Sequence, residues 1–406
     1  MVAASMVSPR TDNAGAELAE SHLLPREGPV VVGILGAGQL GRMLGLAAVR
    51  MGLQARFLDR AQSGATEGIG ETHLGDWSDP EVLRAFVRGC AVVTTENEWA
   101  PAAAVEATLA AVGDTACRMF PGSASLDPIA DKGAQKQTLA ARGIPTAPFE
   151  LVASQEEAVA AVTKLGGAAM LKRRRGSYDG YGNHSAHSPE DARAGWSKLN
   201  GDDGLLVEAW VPFERELSVI VARSCTGEVR TYPVATTEQR DHRCHATQVP
   251  SGCASDLEAR AMEIGRRVVD AFDLVGVTAI ELFLTTGGEL LVNEVAPRPH
   301  NTGHYTIEGC VTSQFENHLR AVLGLPLGET SLRNPCVVMI NVLGQREGEA
   351  SAHTVLDAAQ LPEVAIHLYG KRQVRPKRKM GHVTCLGSDL ALVRRTAEEA
   401  AEKLRL

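Results

Sequence analysis

The run Asn293-Glu294-Val295-Ala296-Pro297-Arg298-Pro299-His300-Asn301-Thr302-Gly303-His304 crowds a carboxylate, a guanidinium, imidazoles and carboxamides into one short stretch. It follows Glu289-Leu290-Leu291-Val292, an apolar segment bounded by Gly287-Gly288 that predicts a strand, and two prolines stiffen the loop beyond it. A carboxylate at a strand end suits Mg²⁺, which takes few protein oxygens and shares substrate phosphates. Arg298 and His300 beside it suit an anion. A second carboxylate, Glu281, lies inside Val277-Thr278-Ala279-Ile280-Glu281-Leu282-Phe283-Leu284, another strand-like run. Two strands that each deliver one glutamate would make a metal–triphosphate site. The duller alternative, for Glu281 above all, is a partly buried carboxylate with structural partners.

Other groups carry weaker signals. Lys172 ends the strand-like Ala168-Ala169-Met170-Leu171-Lys172 and precedes the loop Gly176-Ser177-Tyr178-Asp179-Gly180-Tyr181-Gly182. A point charge beside a flexible glycine loop is a plausible triphosphate grip, although alone it also reads as a solvated basic turn. Glu208-Ala209-Trp210-Val211 is a strand-to-loop hinge whose main-chain groups could pair with an adenine edge, as could those of any strand end. Gly36-x-Gly38-x-x-Gly41 with Asp59 matches the dinucleotide fingerprint and by itself predicts NAD. The same turn offers backbone N–H groups to any phosphate, and the Lys172 loop and paired glutamates have no place in a dehydrogenase. Asp241-His242-Arg243-Cys244-His245 contains metal-ligand types, but a polar loop of coincidental composition is preferred. The basic stretch from Lys371 to Lys379 could join Arg298 and His300 in a second anionic site, against the usual reading of a charge run as a solvated face.

These groups need a scaffold. Val30 to Leu35 is a short apolar strand, and Leu40, Met43, Leu44, Ala47 and Ala48 then recur at helical spacing. Strands over 55–59 and 91–95 with a helix over 80–87 complete a doubly wound opening. A linker near Phe120-Pro121-Gly122-Ser123 closes it. A helix over 131–142 follows, capped by Gly143 and stopped by Pro145. Strands over 205–208 and 217–221, an amphipathic helix over 258–272, a helix over 317–323 and a strand over 337–342 complete the reading. No internal repeat is visible.

At 406 residues, the chain has room for two or three domains. Its 4% aromatic content argues against a stacking-based nucleic-acid binder, and a net charge of -8 offers no electrostatic footprint for nucleic acid or anionic membrane. No apolar run approaches a bilayer-spanning length. The eight cysteines form no Cys-x-x-Cys pair, and no secretory signal precedes them, so they read as reduced thiols of a cytoplasmic protein. The first 28 residues are polar and aperiodic and are expected to be a disordered extension rather than a targeting peptide.

Assembled in order, the pieces resemble the ATP-grasp superfamily and, within it, the N5-carboxyaminoimidazole ribonucleotide synthase family. The resemblance runs from about Val30 to the C-terminus. It is carried by Gly36-Ala37-Gly38-Gln39-Leu40-Gly41-Arg42-Met43, Thr95-Glu96-Asn97-Glu98, Gln135-Lys136 with Pro145-Thr146-Ala147-Pro148, and Tyr178-Asp179-Gly180. Asn293 to His304, Ser313-Gln314-Phe315-Glu316, Val374-Arg375-Pro376 and Lys379-x-Gly381-His382 continue it. Formate-dependent glycinamide ribonucleotide transformylases share a similar loop but usually lack the Gln-Leu-Gly-Arg opening and the Asn-x-Gly-His ending.

The resemblance implies an α/β and α+β chain. A Rossmann-like pre-ATP-grasp domain over 29–128 would precede an ATP-grasp domain over 129–328 and a small C-terminal domain over 329–406. The implied activity is ATP- and bicarbonate-dependent carboxylation of 5-aminoimidazole ribonucleotide through carboxyphosphate, by a homodimer. A formyl-transferring ligase and a non-catalytic nucleotide-binding homologue remain the alternatives. Lys132, Lys172, Ser177, Tyr178, Asp179, Gly180, Tyr181, Gly182, Asn183, Glu208, Ala209, Trp210, Val211, Glu216, Gln239, Asn293 and Glu294 would contact ATP. Glu281 and Glu294 would hold Mg²⁺, and Arg298, His300 and Asn301 would serve the bicarbonate chemistry. Gln39, Leu40, Glu96, Thr302, Lys371 and Arg378 would bind the ribonucleotide. Several positions depart from the family pattern. Lys132 stands for Arg, Ser177 for a loop glycine, Tyr181 for a basic residue and Gln239 for His, and His242-Arg243 replaces a Gly-Ile pair.

Overall fold

The computed structural model describes residues 28–113, 116–177, 180–351, 353–404 and 406. The expected extension, apart from Gly28, lies outside the described residues, as do Tyr178 and Asp179.

The opening segment folds as expected. Parallel strands Val31–Leu35, Gln54–Asp59 and Val92–Thr95 pair around the first, with the helix Gln39–Arg50 laid against them. Leu40, Met43, Leu44 and Ala48 are buried, so the 3.6-residue spacing faces the sheet. Asp79 caps the helix Pro80–Val87 by accepting from Glu81 N–H, with proline at the first helical position. A fourth strand, Glu71–Leu74, pairs parallel with Gln54–Asp59 and was not expected. It is a mostly polar, exposed edge strand, and such a strand needs no apolar alternation.

Two further sheets follow. Phe149–Val152, Leu205–Ala209, Ala169–Arg173 and Asn183–Ala186 form a small antiparallel sheet in that order. Among the described residues the large sheet has nine strands. Its path begins at the edge with Leu290–Ala296, then Gly276–Thr285, Phe213–Arg223, Ala235–Arg240 and Arg243–Val249. It continues through Cys336–Leu343, Lys379–Gly387 and Val364–Leu368, with Val229–Thr231 beside Phe213–Arg223. One sheet therefore runs on into the stretch expected as a separate C-terminal domain, through the pairing of Ala246 to Val249 with Val337 to Ile340.

The two faces of the large sheet differ as strand alternation requires. Ile280, Leu282 and Leu284 pack with Leu217, Val219 and Val221 against Ala261, Ile264 and Val268 of the helix Ser255–Ala271. The alternate positions Glu281 and Phe283 face a cavity. The helix Gln314–Val322, capped by Ser313 accepting from Glu316 N–H, joins the large sheet to the first one. Its Phe315, Leu319 and Val322 share a core with Val32, Leu40 and Leu44. Its His318 is fully buried, 2.7 Å from Thr94 Oγ1 through Nε2, and accepts from Val277 N–H through Nδ1 at 3.0 Å. No helix among the described residues is long and apolar enough to cross a membrane. All eight cysteines are free thiols.

Candidate active site

A cavity of about 880 Å³ lies where the three sheets meet. Its size suits a nucleotide-scale ligand. The first sheet supplies Gln39, Leu40, Glu96 and Glu98, the small sheet Lys172, Asn183 and Glu208, and the large sheet Glu216, Gln239, Glu281, Asn293 and Glu294. Arg298, His300 and Asn301 line it from the loop beyond, with Lys379 from the strand Lys379–Gly387.

The two glutamates sit opposite each other, Glu281 paired in register with Glu294. The register then shifts, so that Leu282 faces Val292 and Asn293 is the extra residue of a bulge. Strict alternation would send Asn293 and Glu294 to opposite faces; the bulge turns both toward the cavity. Burial and the facing Glu294 carboxylate push Glu281 up from its ordinary range. Burial works the same way on Glu294, but Lys132, whose Nζ lies 2.8 Å from Oε1, outweighs it and holds Glu294 down. Among the described residues no cluster of three or more His, Cys, Asp or Glu forms a metal cage, the Asp241 to His245 stretch included. Two facing carboxylates without a cage fit a hard cation that completes its shell with phosphate oxygens and water.

Lys132 is placed by its helix. Asp131 caps Lys132–Ala141 by accepting from Gly133 N–H and Ala134 N–H, and its carboxylate takes Arg174 Nε at 3.0 Å and Nη2 at 2.6 Å. Glu208, fully buried, lies between Lys136 and Lys172. Burial raises its pKa, but the two ammoniums win and hold it at about 2.

On the far side, Glu98 Oε2 accepts from Arg298 Nε at 2.7 Å. His300 is held by its backbone, with N–H donating to Gln314 Oε1 at 3.0 Å and O accepting from Gln314 Nε2 at 2.7 Å. Burial, then Arg298 and Lys379, lower its pKa to about 3, so the ring is neutral. Its Nδ1 lies 3.4 Å from Thr302 N–H and 3.0 Å from Thr302 Oγ1. Asn301 and Asn341 exchange reciprocal amide hydrogen bonds at 2.8 and 2.6 Å.

The glycine turn of the first helix does not await a dinucleotide. Glu96 accepts from Gly38 N–H and Gly41 N–H, each at 2.6 Å, and Asp59 Oδ2 accepts from Ala37 N–H at 2.9 Å. A Cβ on Gly36 would lie 2.3 Å from Glu96 Cγ. The glycines make room for the protein's own carboxylates, which take up the N–H groups a dinucleotide phosphate would need.

Not every expected residue reaches the cavity. Gly180, Ala209, Trp210 and Val211 line it. Ser177 sits in a small adjoining pocket with Gly176, Lys132 and Glu294. Tyr181 is exposed, with Arg173 5.7 Å from its ring, and Gly182 O pairs with Arg173 N–H, so neither lines the cavity. Thr302 is fully buried, its hydroxyl 2.7 Å from Ser218 Oγ and 3.0 Å from His300 Nδ1; it orients His300 instead of lining the wall. Lys371 Nζ donates to Lys379 O at 2.8 Å, and Arg378 Nη1 donates to Gln373 O at 2.6 Å. The C-terminal cation at the wall is Lys379, which the residue reading passed over although its Lys-x-Gly-His string carried the resemblance. Glu98, Gln314 and Lys136 likewise belong to motifs that carry the resemblance, but nothing local marks their roles.

Residues 30–129 match the ribonucleotide synthetase preATP-grasp domain, 137–315 the ATP-grasp domain, and 337–396 the phosphoribosylaminoimidazole carboxylase C-terminal domain. The N5-carboxyaminoimidazole ribonucleotide synthase of Synechococcus elongatus is 37% identical over 355 residues, covering 87% of this chain and 88% of that one. The chain belongs to the N5-carboxyaminoimidazole ribonucleotide synthase family. The chloroplastic phosphoribosylaminoimidazole carboxylase of Vigna aconitifolia is 38% identical over 374 residues, and this chain spans 65% of its length and matches it over 90% of its own. Two solved N5-carboxyaminoimidazole ribonucleotide synthases share the fold. That of Thermus thermophilus has a TM-score of 0.81 at 37% identity, covering 92% of this chain and 97% of that one. That of Aspergillus clavatus, in complex with ADP and 5-aminoimidazole ribonucleotide, has a TM-score of 0.82 at 32% identity, covering 93% and 98%. The α/β and α+β class expected from the sequence is that of the N5-carboxyaminoimidazole ribonucleotide synthase fold.

Proposed function

We propose that this chain uses ATP and bicarbonate to carboxylate the exocyclic amine of 5-aminoimidazole ribonucleotide, releasing ADP and phosphate. The observation that carries the reading is the cavity itself: facing glutamates, with lysines on one side and Arg298, His300 and Lys379 on the other. Adenine lies at the Glu208–Val211 hinge, and Lys132 and Lys172 meet the phosphates. Glu281 and Glu294 hold Mg²⁺, with Asn293 beside them, which when bound neutralises phosphate charge. Bicarbonate, fixed by Arg298 and His300, attacks the γ-phosphorus through an oxygen, and the bond to ADP breaks. The C–O bond of the resulting carboxyphosphate then breaks to give CO₂ and phosphate. The amine lone pair attacks the carbon and the amine loses a proton.

Little of this asks for a protein nucleophile. Positioning and charge neutralisation supply the acceleration, and the glycine loop excludes water from carboxyphosphate. Gln39, Leu40 and Glu96 form the wall where the ribonucleotide sits, and the expected homodimer belongs to the same reading.

The test is ADP release by the purified chain with 5-aminoimidazole ribonucleotide, bicarbonate and Mg²⁺ omitted in turn. Release that requires all three supports the proposal. Release that needs formate with glycinamide ribonucleotide instead would assign the chain to formyl transfer. ATP binding without turnover would mark a non-catalytic homologue.

A further inference from the structure

The strand Leu290–Ala296, which carries Asn293 and Glu294, is the outermost strand of the large sheet, so one row of its backbone groups faces no neighbouring strand. A helix and a loop take that place, the loop partly through its own backbone. Val292 N–H donates to Pro145 O at 2.8 Å, and Val292 O accepts from Thr146 Oγ1 at 2.9 Å and Lys136 Nζ at 3.1 Å. Val295 N–H donates to Gln135 Oε1, and Val295 O accepts from Gln135 Nε2, both at 3.3 Å. Gln135 and Lys136 are consecutive on the helix Lys132–Ala141, and both are buried. The backbone on either side of Glu294 is thus fastened by two neighbouring side chains.

Lys136 does more than fasten an edge. Its ammonium lies 2.5 Å from Thr146 Oγ1 and 2.5 Å from Glu208 Oε1, the latter oriented as an ion pair more than as a directed hydrogen bond. Lys172 pairs with the other Glu208 oxygen. Glu208 belongs to the small sheet and Val292 to the large one, so a single ammonium joins them. Two of the ammonium's three protons go to Thr146 Oγ1 and Val292 O, and its charge faces Glu208. Lys132 and Lys172 differ: among the described residues each pairs with one carboxylate. Two ammoniums around one carboxylate leave a net positive charge. Without Lys136, Glu208 would cancel Lys172.

We propose that Lys136 is a positioning residue of the nucleotide site, sharing the Glu208 charge so that Lys172 can serve phosphate, and holding the Glu294 strand against the small sheet. The proposal rests on the nucleotide reading above and concerns a residue that touches no ligand in it.

The experiment measures the Kd of Mg²⁺ with a non-hydrolysable ATP analogue by calorimetry, without ribonucleotide or bicarbonate, beside the kcat for ADP release and the melting temperature. Lys136→Met is expected to weaken the analogue about tenfold or more, while kcat at saturating ATP stays within about twofold. Removing one partner of a buried pair strands the other. Thr146→Val, which deletes only the bridging hydroxyl, is expected to weaken binding about threefold and covers the case in which K136M fails to fold. A lowered melting temperature with unchanged Kd in K136M, or an unchanged Kd in a T146V chain tested alone, overturns the proposal. Wild type that binds the analogue but does not consume the ribonucleotide removes the carboxylation reading alone; wild type that does not bind it removes both.

Discussion

Glu98 and Arg298 meet at 2.7 Å across 200 residues of sequence, joining the end of the first parallel sheet to the loop beyond the Glu294 strand. Both side chains are largely buried, so the guanidinium has one orientation available to it. Burial opposes its charge, and Glu98 more than restores it. Glu98→Gln keeps the shape and removes the charge. It is expected to lower bicarbonate-dependent ADP release about tenfold to a hundredfold, with the KM for ATP little changed. Equal losses in ATP affinity and turnover would show that Glu98 serves the nucleotide instead.

Lys379 on the cavity wall and Arg378 on the basic stretch beside it make a sharp comparison. Lys379→Met is expected to reduce ribonucleotide-dependent turnover about tenfold or more, because a half-buried cation on the cavity wall is screened less than one in open solvent. Arg378→Met, on a half-buried guanidinium that already donates to Gln373 O and does not line the cavity, is expected to change it less than about twofold. Steady-state rates at saturating ATP distinguish the two, and a larger loss in R378M would return the phosphate grip to the basic loop.

Glu208 makes stability depend on pH. Its folded pKa is depressed from an ordinary 4.5 to about 2 by Lys172 and Lys136, which overcome its burial. A depressed carboxylate stabilises the fold above its unfolded pKa and loses that contribution as pH falls through the folded one. The contribution is on the order of 3 kcal/mol at neutral pH and declines below about pH 4.5. Glu208→Gln is expected to be less stable than wild type by that order at pH 7, with the gap narrowing toward pH 3. Denaturant titrations at both pH values measure it, and a gap independent of pH would remove the ion pairs from the account.

Gly41 is required by a close approach. A Cβ there would lie 2.7 Å from Gly36 O, a backbone atom that cannot swing aside. Gly41→Ala should cost about 1–3 kcal/mol of unfolding free energy, as overpacking does elsewhere. It should also loosen Glu96, which accepts from Gly41 N–H. A denaturant midpoint equal to that of wild type would show that the turn can shift.

What the chain declares locally is extensive. About half of the helices and strands followed from apolar periodicity, while others, among them the helices Ala102–Val112, Gln155–Lys164, Pro189–Leu199 and Leu390–Lys403 and the strands Ala235–Arg240 and Arg243–Val249, did not. The glycine turn, the glutamate-bearing strands and the basic strand end at Lys172 were legible as chemistry, because spacing along one element is a property of neighbouring residues. The short Glu71–Leu74 strand escaped because an exposed edge carries no such signature. Contacts between distant segments were equally silent. No local pattern announces that Asn293 forms a bulge, that Glu96 fills the first helix turn, that Glu98 reaches Arg298, or that Lys379 and not Lys371 faces the cavity. Register and side-chain direction depend on which strands pair and which faces pack. The residue types of the site are therefore set along the chain, while their distances, partners and charges arise only where three sheets converge.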